Sequence, residues 1–227
     1  MVRVFLLVYN HILPLPLFAL LWWYFSGGRP ASIALPALLL GVPLALGYTF
    51  PILGVRHAKL WIIRSRLAVF GFFPHHGFIY SSTIAGGLWA VGFCLPQDPT
   101  WQQRAVASAL LGTATGFVGW LHDTLAVRDG LIELRTPIRL SGASAHESVF
   151  EYGPATFFIL GAMYGAMGLQ AMAWDRSGAI HHPVGLFAAG FGLLVGGSSL
   201  LFCWQNRHAI PLLVANLLGK PTPKVRS

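Results

Sequence analysis

Apolar residues run along the chain in six long blocks, at about 4–25, 32–53, 75–95, 104–121, 146–174 and 183–204, separated by polar punctuation such as SGGRP, RHAK, LPQDPT and DRSGAIHHP. A bilayer core of about 30 Å needs roughly 20 apolar residues in one helix, and every block meets that length. The pattern predicts an all-α integral membrane protein, a bundle of six transmembrane helices. Residues 1–218 form a single transmembrane domain and 219–227 a flexible cytoplasmic tail. The fifth block is long enough to tilt or to project from the membrane. The first follows Arg3 as a signal peptide would, but its apolar run is too long and no small-residue cleavage site follows, so it is expected to stay as a helix.

Two connections have patterns of their own. LAVRDGLIEL alternates on both sides of Asp129 and Gly130, which predicts a β-hairpin-like loop over 124–135 with those two residues as the turn. In that register Val127 opposes Ile132 and Leu125 opposes Leu134 on an apolar face, with Glu133 and Arg135 on the other. Such a hairpin would lie on the bilayer or cap the bundle. The segment RHAKLWIIRSRLAVFGFF mixes basic and apolar residues as an interfacial helix over 56–71 would, the alternative being a basic loop anchored by Trp61.

Composition supports the membrane reading: 55% of the 227 residues are apolar and 10% charged, and 26 Gly with 15 Pro would be costly in soluble helices. The net charge of +8 is spread between apolar blocks, so anionic lipid headgroups are its expected counter-charge and no nucleic-acid partner is expected. With six spans, twelve Lys and Arg fall on the side of both termini and only Arg29, Arg104 and Arg176 on the other. The positive-inside rule then puts both termini in the cytoplasm, in a cell inner membrane. Cys94 and Cys203 sit in different blocks and read as small buried hydrophobes. Small residues recur at helical spacing at Ser108, Gly112, Thr115, Gly116 and Gly119, at Gly161 and Gly165, and at Gly192 and Gly196. They allow close helix packing, or homo- or hetero-oligomers through the Gly-rich faces.

Candidate chemistry concentrates between Trp120 and Tyr152, which hold five of the seven acidic residues, and seven of nine histidines fall on the same predicted side. His122, Asp123 and Glu151 are the candidate catalytic residues, since a histidine paired with a carboxylate serves as general acid or base. His75, His76, His122, His146, Glu147 and Glu151 are the candidate ligands of a divalent metal, iron or zinc. No H-x-x-x-H, H-E-x-x-H or C-x-x-C spacing accompanies them. Glu147 also completes an S-x-x-E capping box with Ser144. Glu151 lies too deep to cap, and Pro154 should kink the helix beside it, freeing the Phe150 carbonyl. His76, Tyr80 and Thr83 make a matching stripe, and Asn10 and His11 join from the first helix. Arg128, Arg135 and Arg139 could hold a lipid phosphate, or serve only as topology signals. The expected function is a membrane enzyme acting on a hydrophobic or lipid-like substrate by oxidation, isomerisation or hydration. The alternatives are a haem- or cofactor-binding electron-transfer subunit and a non-catalytic accessory subunit or small transporter.

Overall fold

The computed structural model describes residues 1–28, 33–135, 142–180 and 182–205, with Val214 and Leu218. The 219–227 tail, Arg29, Arg139 and His208 lie outside them. The chain is mostly helical: α1 (Val2–Ile12), α2 (Pro14–Phe25), α3 (Ala34–His57), β1 (Trp61–Ile63), α4 (His76–Phe93), α5 (Trp101–Arg128), β2 (Ile132–Leu134), α6 (Ala145–Phe150), α7 (Gly153–Arg176) and α8 (Pro183–Gln205). Four helical stretches are long and apolar enough to cross a membrane, namely α3, α5, α6 with α7, and α8; the pair α1–α2, bent by 47°, makes a fifth. Exposed Leu110, Phe117, Val184, Leu193 and Leu200 would be a liability in water and suit lipid contact. The block expected as the third of six spans forms a helix, α4, but it is not among those long and apolar enough to cross a membrane; it packs against α2, α3, α5 and α7. Surrounded by protein, it can carry His76, Ser81, Ser82, Thr83 and its glycines where a lipid-facing helix would need larger apolar side chains.

The core is leucine-rich, with Leu21, Leu39, Leu46, Leu88, Leu111, Leu160 and Leu194 buried around Tyr164. Helices α5 and α7 pack closest, and the two small-residue stripes face one another. A Cβ on Gly112 would stand 2.7 Å from the Phe158 carbonyl oxygen, and one on Gly161 3.0 Å from the Gly112 Cα. These stripes are therefore spent inside the bundle, whereas Gly192 and Gly196 on α8 have nothing within 4 Å.

Prolines shape the bundle by removing N–H donors. Pro14 has none to give the Asn10 carbonyl four residues back, and the chain there forms a π turn, Val8–Ile12, with Leu13 N–H bonded to Val8 O at 2.9 Å. The same physics recurs at Pro43. A second π turn spans Ala37–Gly41, and the Tyr164 hydroxyl donates to Leu39 O at 2.5 Å. Pro154 opens α7, and the helix is interrupted at Glu151 and Tyr152, where the kink was expected.

The two structured connections differ from expectation. The hairpin over 124–135 does not form, because α5 runs on through Arg128. It ends in a Schellman motif: Leu131 N–H bonds Ala126 O at 2.9 Å, Gly130 N–H bonds Val127 O at 3.2 Å, and Gly130 takes φ +76°. Asp129 and Gly130 are a helix stop. The interfacial helix over 56–71 is likewise replaced: a third π turn ends at His57, β1 follows, and Val69–Phe72 close a tight turn with φ +57° at Phe70 and +89° at Gly71. Positive φ at both central residues is the type I′ hairpin geometry, incompatible with a continuous helix.

The partner of 132–134 is β1. The strands are antiparallel in the register Trp61↔Leu134, Ile62↔Glu133 and Ile63↔Ile132, continued by Arg64 N–H to Leu131 O and Arg135 N–H to Leu60 O, both 2.7 Å. The alternation expected of Ile132, Glu133 and Leu134 survives this exchange of partner. Ile132 and Leu134 share a face with Trp61 and Ile63, and Glu133 pairs on the other side with Arg64 and with Arg135, whose Nε stands 2.9 Å away. Those guanidinium hydrogen bonds, Arg64's first, hold the Glu133 carboxyl below the usual range.

Candidate active site

The apolar face of the sheet roofs a cavity of about 470 Å³ at one end of the bundle. Trp61, Ile63, Ile132 and Leu134 line it from above, Phe50, Leu53, Ile84 and Leu160 from the helices, and a polar group from α1, α4, α5 and α7 closes one wall.

That wall is a chain of hydrogen bonds. His122, in the last turns of α5, places Nδ1 2.9 Å from Asp123 Oδ1. The other Asp123 oxygen accepts from the Tyr152 hydroxyl at 2.9 Å. On the far side of the ring, His122 Nε2 stands 3.1 Å from Asn10 Oδ1. Both ring nitrogens thus face oxygen acceptors, so the imidazole can hold a proton on each. Asn10 is itself fixed from behind. His75 Nε2 donates to its backbone carbonyl at 2.6 Å, the acceptor that Pro14 leaves without its helical N–H. Tyr9 packs its ring on His122 at 4.8 Å between centroids and accepts from Thr83 Oγ1 at 3.0 Å.

The local sequence explains how these groups meet. His122 and Asp123 are consecutive, so the helix projects them about 100° apart, and one contact across the ring and carboxylate joins them. The break at Glu151 and Tyr152 turns the tyrosine toward α5, and the close α5–α7 packing brings its hydroxyl within reach. His122 and Asp123 are mostly buried, with side-chain exposures of 14% and 16%.

The other expected site residues disperse. His76 lines the cavity, stacked between Trp61 at 5.8 Å and Tyr80 at 5.5 Å, and its Nδ1 is buried without a partner among the described residues. His75 points away to Asn10 and to His11, 5.2 Å between rings. His146 is exposed, its ring against Trp120 and Phe150. Glu147 closes the capping box, with Ser144 N–H bonded to its Oε2 at 2.8 Å and its own N–H to Ser144 Oγ at 3.2 Å. Glu151 stands in the helix break, Oε2 buried and unpartnered among the described residues, and it does not line the cavity. The six residues expected as metal ligands therefore do not converge, and among the described residues no three His, Cys, Asp or Glu side chains come together to hold an ion. The separation has a plain cause: His146 and Glu147 belong to a short capped helix on which both are exposed, whereas His122 faces the cavity. In this arrangement Asp123 and Asn10 occupy both His122 nitrogens.

Of the expected stripe, His76, Tyr80, Thr83 and Asn10 all reach the cavity and His11 does not. Sequence reading passed over Tyr9, Thr156, Ser198 and Ser199, which also line it. Tyr9 had a signal in its place beside Asn10; the serines of α8 had none. Of the arginines expected to hold a phosphate, Arg128 and Arg135 do not line the cavity, and Arg135 is committed to Glu133.

Searches among protein families, curated proteins and solved structures give no match to this chain.

Proposed function

We propose that this protein is an integral membrane enzyme that acts on a hydrophobic or lipid-like substrate by acid–base chemistry. His122 is the proton-carrying group, Asp123 its orienting carboxylate, and Tyr152 the donor that holds Asp123. The observation that supports this reading is the juxtaposition of a histidine, carboxylate and tyrosine hydrogen-bonded in series with an otherwise apolar cavity inside a bundle of membrane-length helices. Ionisable groups at such depth are costly to keep, and a pocket with few convergent polar groups is the usual form of a small-molecule site. Asp123 fixes which nitrogen of His122 faces it, leaving Nε2 as the position that exchanges a proton. A substrate oxygen reaches that proton by displacing Asn10 Oδ1, whose 3.1 Å bond is the longest in the series. Isomerisation and hydration are the reaction classes such a pair serves unaided. By the excess of basic residues near this end we also propose that it faces the cytoplasm.

The test is turnover. Purified wild type, His122→Ala and Asp123→Asn, each verified as folded by circular dichroism, are incubated in phosphatidylcholine nanodiscs with a total membrane lipid extract, and the hydrophobic compounds are compared by mass spectrometry. The expected result is a compound formed or consumed by wild type alone. Identical compound profiles from all three would refute the assignment.

A further inference from the structure

The charge of the substrate can be read from the cavity wall. None of the described residues lining it is a lysine or arginine. The one carboxylate among them, Asp123, is already bonded through both oxygens, to His122 and to Tyr152. A phosphate or carboxylate head would enter a low-dielectric space whose described lining holds no lysine or arginine, and whose His122 already faces the Asp123 carboxylate, so the added anion would be left without a free partner, where unpaired charge is most costly.

What the wall does offer are neutral hydrogen-bonding groups. Tyr80 lines the cavity with its ring held between His76, 5.5 Å away, and Phe50, 6.3 Å away. Among the described residues no group hydrogen-bonds its hydroxyl, and the hydroxyl is not among the sealed polar atoms of the interior. It therefore opens on the cavity, which Asp123 also lines, on the helix that also carries His76 and Thr83. Phenol hydroxyls in such a place donate to an oxygen acceptor. The volume, toward the lower end of the roughly 300–1,000 Å³ of ligand pockets, suits a head and one chain better than two chains.

Resting on the proposed function above, we infer that the site takes an uncharged single-chain amphiphile, an alcohol, aldehyde or ketone, whose oxygen accepts from Tyr80 beside the His122–Asp123 pair.

Deuterated 1-dodecanol equilibrated with the protein in phosphatidylcholine nanodiscs, with the excess over empty nanodiscs counted by mass spectrometry, tests this without requiring turnover. The expected result is a saturable excess of about one alcohol per chain that a tenfold surplus of dodecyl phosphate does not displace. Tyr80→Phe should weaken retention by about 2- to 12-fold, the worth of one hydrogen bond. Leu134→Trp, which fills the cavity from its roof, should abolish it, and Gly192→Ala, on the open face of α8, should leave it unchanged. Displacement by dodecyl phosphate as readily as by unlabelled alcohol would overturn the inference, as would equal retention by wild type and Tyr80→Phe. Alcohol retained by a protein that converts no lipid would sink the enzymatic reading and leave this one standing. Turnover of a substrate with a charged head would do the reverse.

Discussion

Replacing Gly112 with alanine tests how tightly the site depends on the α5–α7 seam. The new methyl would lie 2.7 Å from the Phe158 carbonyl oxygen and 2.9 Å from the Ala162 Cβ, and the first of these is backbone that cannot rotate away. Reaching ordinary contact at 3.4 Å requires the helices to part by about 0.7 Å at this level. Overpacking of this kind costs about 1–3 kcal/mol, offset in part by the 0.5–1 kcal/mol that alanine gains over glycine within a helix. The net loss lies between about 0 and 2.5 kcal/mol, centred near 1 kcal/mol, or roughly 2–4 °C in melting temperature for a chain of this size. The shift also has a route to the chemistry. Asp123 lies roughly 16 Å further along α5, and a rigid displacement carried that far lengthens the 2.9 Å bond from Tyr152 past hydrogen-bonding range. Thermal unfolding followed by circular dichroism, with Gly192→Ala as the matched control, reads the first effect; Gly192 has nothing within 4 Å, so its variant should melt at or slightly above wild type. If Gly112→Ala proved as stable as Gly192→Ala, the seam would not be closed by its glycines and the reasoning would fail.

Tyr152→Phe removes the donor to Asp123 Oδ2 and keeps the ring. A hydrogen bond to a charged group is worth about 1.5–3 kcal/mol, so the variant should melt lower and lose turnover together; unchanged values of both would remove Tyr152 from the site. Glu133→Gln concerns the roof. Because Arg64 and Arg135 lower the folded-state pKa of Glu133, its contribution is present above the unfolded carboxylate value of about 4.3 and fades as pH falls through the lower folded value. Being an exposed pairing it is worth at most about 1 kcal/mol. The melting-temperature gap between wild type and Glu133→Gln should thus be small at pH 7 and close as pH falls through the lowered folded value, and a gap that widens on acidification would contradict this sign.

The parts of this structure that are local in sequence were the legible ones. The helical blocks show because a lipid-facing span must be apolar along nearly its whole length, and the Ser144–Glu147 cap shows because both partners lie within four residues. The end of α5 misled for a physical reason. Leu125, Val127, Ile132 and Leu134 alternate about Asp129–Gly130 as a hairpin would, yet the same glycine serves a helix stop, and local spacing does not separate the two. What decided it was β1, about 70 residues upstream, which offers 132–134 a partner with a matching apolar face. The site followed the same division. His122 with Asp123 and the stripe His76, Tyr80, Thr83 lie on single helices and could be read. The bond from His75 to the Asn10 carbonyl joins residues 65 apart, and only Pro14, four residues beyond Asn10, hinted that this carbonyl was free.

That hint generalises into a prediction. Pro43 has no N–H for the Leu39 carbonyl, as Pro14 has none for Asn10, and in each case a side chain from another helix or its N-cap donates instead, Tyr164 to Leu39 and His75 to Asn10. If the prolines create these acceptors, donor and proline must be energetically coupled. Tyr164→Phe in the wild-type background leaves the buried Leu39 carbonyl short of a donor, at a cost of about 1–3 kcal/mol. In a Pro43→Ala background the restored N–H can serve that carbonyl, and the same tyrosine substitution should cost markedly less. A double-mutant cycle of unfolding free energies measures the difference directly. Additive losses would mean that Tyr164 is held by packing alone, and the shared proline logic would then give no ground for treating the His75 bond as what fixes Asn10 beside His122.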